Sequence, residues 1–295
     1  MTRVAVVAHA GKTFGGGLLE LRRVLEQHGV DDPIWYEVPK SRKAPKQVKK
    51  AIDEGAELVF AWGGDGTVQR CIHVLAGSGV PLAIVPAGTA NLFASNLDIP
   101  QDIEKAVAIG LGQKRRTLDV GVLNGERFGV MAGVGFDAAM IRDADAGLKD
   151  AIGRLAYVWT GARNLKNEPF EAKIRVDGTA WFDDTATCIL VGNVAKVFGG
   201  IEAFSDAEPD DGQLELGVVT AEGLVQWART LTRTAVGTGE KSPFVQATKA
   251  KKIEVKLDRK VLYELDGGDR TKAKKLQIEI EAGVLEVCVP GSQLS

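Results

Sequence analysis

Cysteine and histidine are scarce in this chain: its 295 residues hold three of each. Cys71, Cys188 and Cys288 lie far apart and form neither a CxxC pair nor an even set. That argues against a disulfide framework and a cysteine zinc site, and it fits a reducing compartment. His9, His28 and His73 are equally scattered, which weakens a histidine metal centre or a His-based triad. Long apolar runs are missing too: none approaches the roughly 18 residues of a membrane-spanning helix. The apolar stretch at residues 4–8 is too short for a secretory signal and reads as a buried first strand. The expected location is the cytoplasm. Nor is there an excess of either charge, with 37 basic against 39 acidic residues and a net charge of −2. A general nucleic-acid binder is far more basic, so nucleic acid is not an expected partner. Contact with an anionic surface must be local.

The chain does have ample apolar material and much glycine. Hydrophobic residues make up 45% and charged residues 26%, which are globular values that exclude disorder. The 35 glycines exceed the usual share of about 7% without any Gly-X-Y period. They read as residues for tight turns and close backbone approach. The length is about twice a single-domain prior of roughly 150 residues, so two domains are expected.

Over the first 120 residues, β-branched runs alternate with amphipathic stretches. Strands are expected at 3–8, 33–38, 57–62 and 81–85. Helices are expected at 18–28, 44–54 and 68–75, with another starting near Ala90. Short connections between them predict a doubly wound parallel α/β domain. After Leu118 strands dominate: 119–124, 127–134, 171–176, 179–191, 213–219, 251–257, 260–265, 274–281 and 284–289. Asn124-Gly125 and Asp177-Gly178 supply hairpin turns. Helices interrupt at about 147–165 and 221–233. Residues 121–295 are therefore expected to form an antiparallel β-sandwich.

The strongest motif is Gly63-Gly64-Asp65-Gly66-Thr67, between a strand and a helix. Its glycines let the backbone approach a ligand, and the helix start adds a positive dipole end that suits phosphate. Asp65 would repel phosphate unless Mg²⁺, water or a ribose hydroxyl lay between. The plainer reading is a tight turn with Asp65 as a cap. Pro86-Ala87-Gly88-Thr89-Ala90-Asn91 also joins a strand end to a helix start. In a parallel sheet both loops lie on one edge, where ligands bind. Gly11-Lys12-Thr13 resembles the end of a phosphate-binding loop, but Val6 stands where that motif needs glycine. Asp210-Asp211-Gly212 suits either a hard-cation loop or a solvated turn. Asp266-Gly267-Gly268-Asp269 reads as a hairpin turn. Basic clusters at 40–50, 114–116, 249–252 and 270–275 read mainly as solvated faces, with contact to anionic lipid head groups or nucleotide as the alternative.

On these residues the chain resembles the diacylglycerol kinase catalytic family in its bacterial lipid-kinase form. The resemblance rests on Gly63 to Thr67, on PAGTANLFASNLDIP at 86–100 and on Asp119-Val120-Gly121. It continues through GVGFD at 133–137, GRLAY at 153–157 and Asp211-Gly212 before Leu214. The glycine–aspartate loop alone is shared with NAD kinases; the second loop is the more specific mark. The resemblance implies ATP on Gly63, Gly64, Asp65, Gly66, Thr67, Gly88, Thr89 and Asn91. It implies a structural Mg²⁺ held by Asp211 and by carbonyls matching Glu208 and Gln213. It also implies a lipid alcohol entering a cleft between the domains, with in-line attack of its hydroxyl on the γ-phosphoryl group. Asp65 is the expected catalytic acid of the loop. Peripheral contact with the inner face of the membrane follows, and the family leaves room for a homodimer and for a final strand that returns to the first domain.

Two positions depart from the family pattern. Leu92 stands where an aspartate often follows the asparagine of the second loop. Gly268 stands where the family carries a glutamate base. Asp269 is the nearest replacement for that base, with Asp266 as a positioning residue. The alternatives are a NAD kinase, which would want an Asn-Glu pair where Asn91-Leu92 stands, and a nucleotide-binding protein with impaired catalysis.

Overall fold

The computed structural model describes residues 2–135, 168–198, 201–204, 206–221, 226 and 242–291. The helix expected at 147–165 and the 153–157 motif lie outside them. So do all but two residues of the helix expected at 221–233 and the last two of the 133–137 motif. The chain divides into two compact units, one of Met1–Val120 with Ala282–Ser295 and one of Gly121–Glu281.

The first unit runs β1 (Val4–His9), α1 (Gly17–Gln27), β2 (Ile34–Val38), α2 (Ala44–Asp53), β3 (Leu58–Gly63), α3 (Asp65–Leu75), β4 (Leu82–Pro86), α4 (Leu92–Asn96) and α5 (Ile103–Leu111). A 3₁₀ turn at Ser41–Lys43 precedes α2. The strands lie in the order β2-β1-β3-β4, all parallel. Successive side chains on a strand face opposite ways. Val4, Val6, Phe60, Trp62 and Val85 pack with Leu21, Val24 and Leu25 of α1 and with Ile103, Ala106 and Val107 of α5. The alternate residues Ala5, Val7, Val59, Ala61 and Ile84 are buried too, on the face that α2 and α3 cover. A parallel sheet covered on both sides needs continuous apolar strands, and VAVVA and LVFAW supply them.

Two details differ from the sequence pattern. Helix α3 starts at Asp65 rather than Val68, because the Gly64 carbonyl accepts the N–H groups of Thr67 and Val68 at 2.8 and 3.1 Å. Helix α5 is not among the expected elements. Asp102 caps it, its Oδ1 accepting the Lys105 N–H at 2.9 Å. Gly110 is a poor helix former, but a Cβ there would lie 2.3 Å from the Phe60 ring. Glycine lets the helix close on β3.

The second unit takes up the chain within β5 (Arg115–Leu123). It continues with β6 (Glu126–Phe128), β7 (Met131–Val134), β8 (Phe170–Val176), β9 (Thr179–Ala186), β10 (Cys188–Gly192), β11 (Lys196–Phe198) and β12 (Ile201–Glu202). Then follow β13 (Leu214–Val219), β14 (Val245–Ala250), β15 (Lys252–Val261), β16 (Tyr263–Leu265), β17 (Gly268–Asp269) and β18 (Ala273–Cys288). One antiparallel set pairs β18 with β15, β15 with β8 and β8 with β9. The other has the order β14-β13-β10-β7-β16-β17. Phe170, Ile174, Ile253, Val255 and Ile278 of the first set share a core with Val134, Val191, Leu216, Val218 and Leu265 of the second. Three hairpin turns carry positive φ at both central residues: Asn124-Gly125, Asp177-Gly178 and Asp266-Gly267. That is the conformation Asn-Gly and Asp-Gly pairs favour.

The strand expected at 127–134 is two strands, β6 and β7, parted by a turn at Gly129 and Val130. The strand expected at 179–191 is also two. It breaks at Thr187, whose hydroxyl donates to the carbonyls of Val219 and Ala221 at 3.0 and 3.1 Å. Conversely, the strands expected at 274–281 and 284–289 are one strand, β18. Its last part runs parallel to β4, with Val287 opposite Leu82. Strand β14 was not expected.

Candidate active site

Strands β3 and β4 end side by side, so their two glycine loops meet. A Cβ on Gly88 would stand 2.4 Å from the Gly64 Cα and 2.8 Å from the Asn91 Oδ1. A Cβ on Gly63 would stand 2.6 Å from the Thr67 side chain. Gly88 is therefore required by the Gly64 backbone and Gly63 by the Thr67 side chain, before any ligand arrives. Gly66 differs: it is exposed, and a Cβ there would meet only the Ser41 Oγ at 3.9 Å. It lies in the first turn of α3, where a helix leaves N–H groups without intrahelical partners.

The polar side chains divide in the same way. Asn91 sits at φ 49°, and its side chain closes a ring on Gly88. Its Oδ1 accepts the Gly88 N–H at 2.9 Å, and its Nδ2 donates to the Gly88 carbonyl at 2.9 Å. Gln101 donates to the same carbonyl at 3.0 Å. Thr67 is buried, with its hydroxyl 3.0 Å from the Ser41 Oγ. Thr89 is exposed. Asn91 and Thr67 thus shape the loops, while Gly66 and Thr89 are exposed and Ser41 is half-buried beside them. Ser41 was not singled out in the sequence. Serine in a basic stretch has no motif of its own, and only the packing of its 3₁₀ turn on α3 brings it here.

Asp65 is half-buried, at the first residue of α3. Its Oδ1 accepts the Phe93 N–H at 3.1 Å, tying the start of α3 to the start of α4. Burial pushes its carboxyl above the usual aspartate value, and the backbone N–H groups of Phe93 and Leu92 offset part of that rise. The first βα loop lies against the same edge: the Trp62 indole donates to the Lys12 carbonyl at 3.3 Å.

In the second unit, Asp266 and Asp269 flank the β16–β17 turn. Asp266 is buried, and its carboxylate accepts three backbone N–H groups: Gly129 at 2.8 Å, Val130 at 2.9 Å and Met131 at 2.8 Å. It shapes the turn between β6 and β7. Asp269 is exposed and stands opposite Glu264 in the hairpin register. A Cβ on Gly268 would lie 2.8 Å from an Arg270 guanidinium nitrogen. Arg270 is held there by a two-pronged pair with Glu126, at 2.8 and 2.6 Å, and by the Gly268 carbonyl at 2.7 Å. A side chain at position 268 would therefore meet a guanidinium already paired. Glu264, buried two residues before Asp266, is a carboxylate that the sequence motifs did not single out.

Glu208, Asp211 and Gln213 lie in one turn, but not as a metal cradle. The Asp211 Oδ1 accepts the Gln213 N–H at 2.9 Å, and its Oδ2 lies 2.9 Å from the Lys249 Nζ. The Glu208 carbonyl accepts the Asp211 N–H at 3.4 Å. Among the described residues no group of three or more His, Cys, Asp or Glu is arranged to hold a metal. The side chain expected to bind Mg²⁺ already holds a cation of the chain's own, so the residues present do not fit the metal.

The profile of the diacylglycerol kinase catalytic domain matches residues 3–123. That of the YegS C-terminal NAD kinase β-sandwich-like domain matches residues 130–289. Both descriptions name kinases, the first matching the parallel α/β part of the chain and the second most of the antiparallel part. The diacylglycerol kinase of Bacillus subtilis is 31% identical over 229 residues, 76% of this chain and 75% of its own. A protein of Cronobacter sakazakii described as a probable lipid kinase, YegS-like, is 30% identical over 254 residues, 84% of this chain and 83% of its own. The crystal structure of a diacylglycerol kinase from Bacillus anthracis has the same fold. It matches with a TM-score of 0.74 over 98% of this chain and 97% of that one, at 22% identity. The chain belongs to the diacylglycerol kinase family of lipid kinases, and it is a kinase. Among the described residues no helix is long and apolar enough to cross a membrane.

Proposed function

We propose that this kinase transfers the γ-phosphoryl group of ATP to the hydroxyl of a diacylglycerol-like lipid at a membrane surface. One observation carries the nucleotide half of this reading. The Gly64–Gly88 contact sets two glycine loops together at neighbouring strand ends, with exposed Gly66 at the start of an 11-residue helix. Oriented N–H groups and the helix dipole suit a polyphosphate there. Thr89 and Ser41 add hydroxyl donors. Mg²⁺ travelling with the nucleotide neutralises charge on the triphosphate. Asp65, held by the Phe93 N–H, is the carboxylate that faces this chemistry. The lipid hydroxyl must lose its proton as it attacks, and exposed Asp269 is the assigned base. Asp266, in the turn just before it, ties that turn to the backbone N–H groups of residues 129–131.

The lipid half rests on the family. Purified protein is incubated with γ-labelled ATP and mixed micelles, offered diacylglycerol, a sphingoid alcohol or NAD in separate reactions. Label in the diacylglycerol fraction is the expected result. Label in NAD, or bound ATP with no label in any acceptor, overturns the reading.

A further inference from the structure

The register of β13 and β14 places Lys249 directly opposite Glu215. The Lys249 ammonium lies 3.0 Å from the Glu215 Oε1, 2.9 Å from the Asp211 Oδ2 and 2.9 Å from the Asp206 carbonyl. An ammonium has three donors and no acceptor, so three oxygens at these distances satisfy it. We infer that the ammonium of Lys249 replaces a divalent cation as the group that neutralises the acidic loop at residues 206–215.

Several features of the loop point the same way. A hard divalent cation needs about six oxygen ligands at short range. Here one Asp211 oxygen is taken by the Gln213 N–H and the other by Lys249. A metal beside Asp211 would sit next to a fixed positive charge and repel it. A tethered ammonium cannot be removed by a chelator. The fold of this loop is therefore independent of metal, and the need for Mg²⁺ is confined to the nucleotide.

Melting curves test this without any assay of catalysis, so a failure here leaves the kinase proposal standing. Nucleotide-free wild type should melt at the same temperature in EDTA and in millimolar Mg²⁺ or Ca²⁺. Lys249→Met leaves the Asp211 and Glu215 carboxylates facing each other. It should melt lower in EDTA and recover about 4 °C or more when either cation is added. The inference is overturned if the wild type is stabilised by Mg²⁺ and Asp211→Asn abolishes that gain. It is equally overturned if Lys249→Met melts like the wild type and ignores both cations. Should the variant not fold, calorimetric titration of the wild type with Mg²⁺ decides: heat of binding that Asp211→Asn removes overturns the inference, and its absence supports it.

Discussion

Asp65 has a structural role and, in the proposed reaction, a chemical one, and the two separate on titration. Burial raises its carboxyl in the folded state above the unfolded value. Its contribution to stability is therefore complete in acid, below the unfolded value, and is lost as pH rises through the folded one. Asp65→Asn keeps an oxygen for the Phe93 N–H and removes the desolvated charge. At neutral pH this variant should melt no lower than wild type, with the difference shrinking as pH falls. Its phosphoryl transfer should drop by at least about 100-fold. Retained activity in a stable variant refutes the assignment. The two turn aspartates should part company just as clearly. Asp266→Ala strands three buried N–H groups and should destabilise by about 3 kcal/mol or more in denaturant titrations. Asp269→Asn, at an exposed site, should change stability by less than about 0.5 kcal/mol. It should lower kcat by about 10²-fold with ATP affinity intact. A kcat equal to wild type removes Asp269 as the base. Gly268→Glu is not a simple restoration of the family residue, because the new side chain must first negotiate with Arg270.

Among the elements, the glycine loops show how one motif serves two purposes. Their existence and their place between strand and helix were legible from spacing alone. The division of labour within them was not. Gly88→Ala would drive a Cβ into the Gly64 backbone, which cannot rotate away as a side chain can. It should lower both melting temperature and ATP affinity, the latter at least about 10-fold. Gly66→Ala adds only an ordinary contact with the Ser41 Oγ at 3.9 Å. It should leave melting unchanged or raise it, since alanine exceeds glycine in helix propensity by up to about 1 kcal/mol. Any loss of ATP affinity then reports the approach of ligand to the backbone. Unaltered affinity in both variants argues against nucleotide at these loops. Helix α5 shows the opposite case. Asp102 at its start is a recognisable cap, yet Gly110 reads locally as a breaker, and only the Phe60 ring beneath it explains the glycine.

For the molecule as a whole, the last strand matters most. Its final part belongs to the first unit, where Leu285, Val287 and Cys288 are fully buried. There the Gly283 N–H donates to Asp119 at 2.7 Å, and the Gly77 N–H donates to the Val284 carbonyl at 2.7 Å. Each buried side chain of this size contributes about 1.5–3 kcal/mol, against a total stability of about 5–15 kcal/mol. Deleting residues 282–295 should therefore lower the melting temperature by roughly 10 °C or more. A deletion that melts like the intact chain would show that the first unit stands without this strand. The sequence by itself determined the alternation of strand and helix, the sandwich pattern, the three Asx-Gly hairpins and the phosphate-type loops. These follow from preferences of neighbouring residues: side-chain periodicity, and the tolerance of glycine and asparagine for positive φ. Only the tertiary structure decided that Asp266 clamps the turn at 129–131, that Gly64 meets Gly88, and that Lys249 fills the place expected for a metal. Asp211 and Lys249 are 38 positions apart, and what joins them is the register of two strands. Register depends on how whole faces of a sheet are buried, and no local pattern around either residue encodes it.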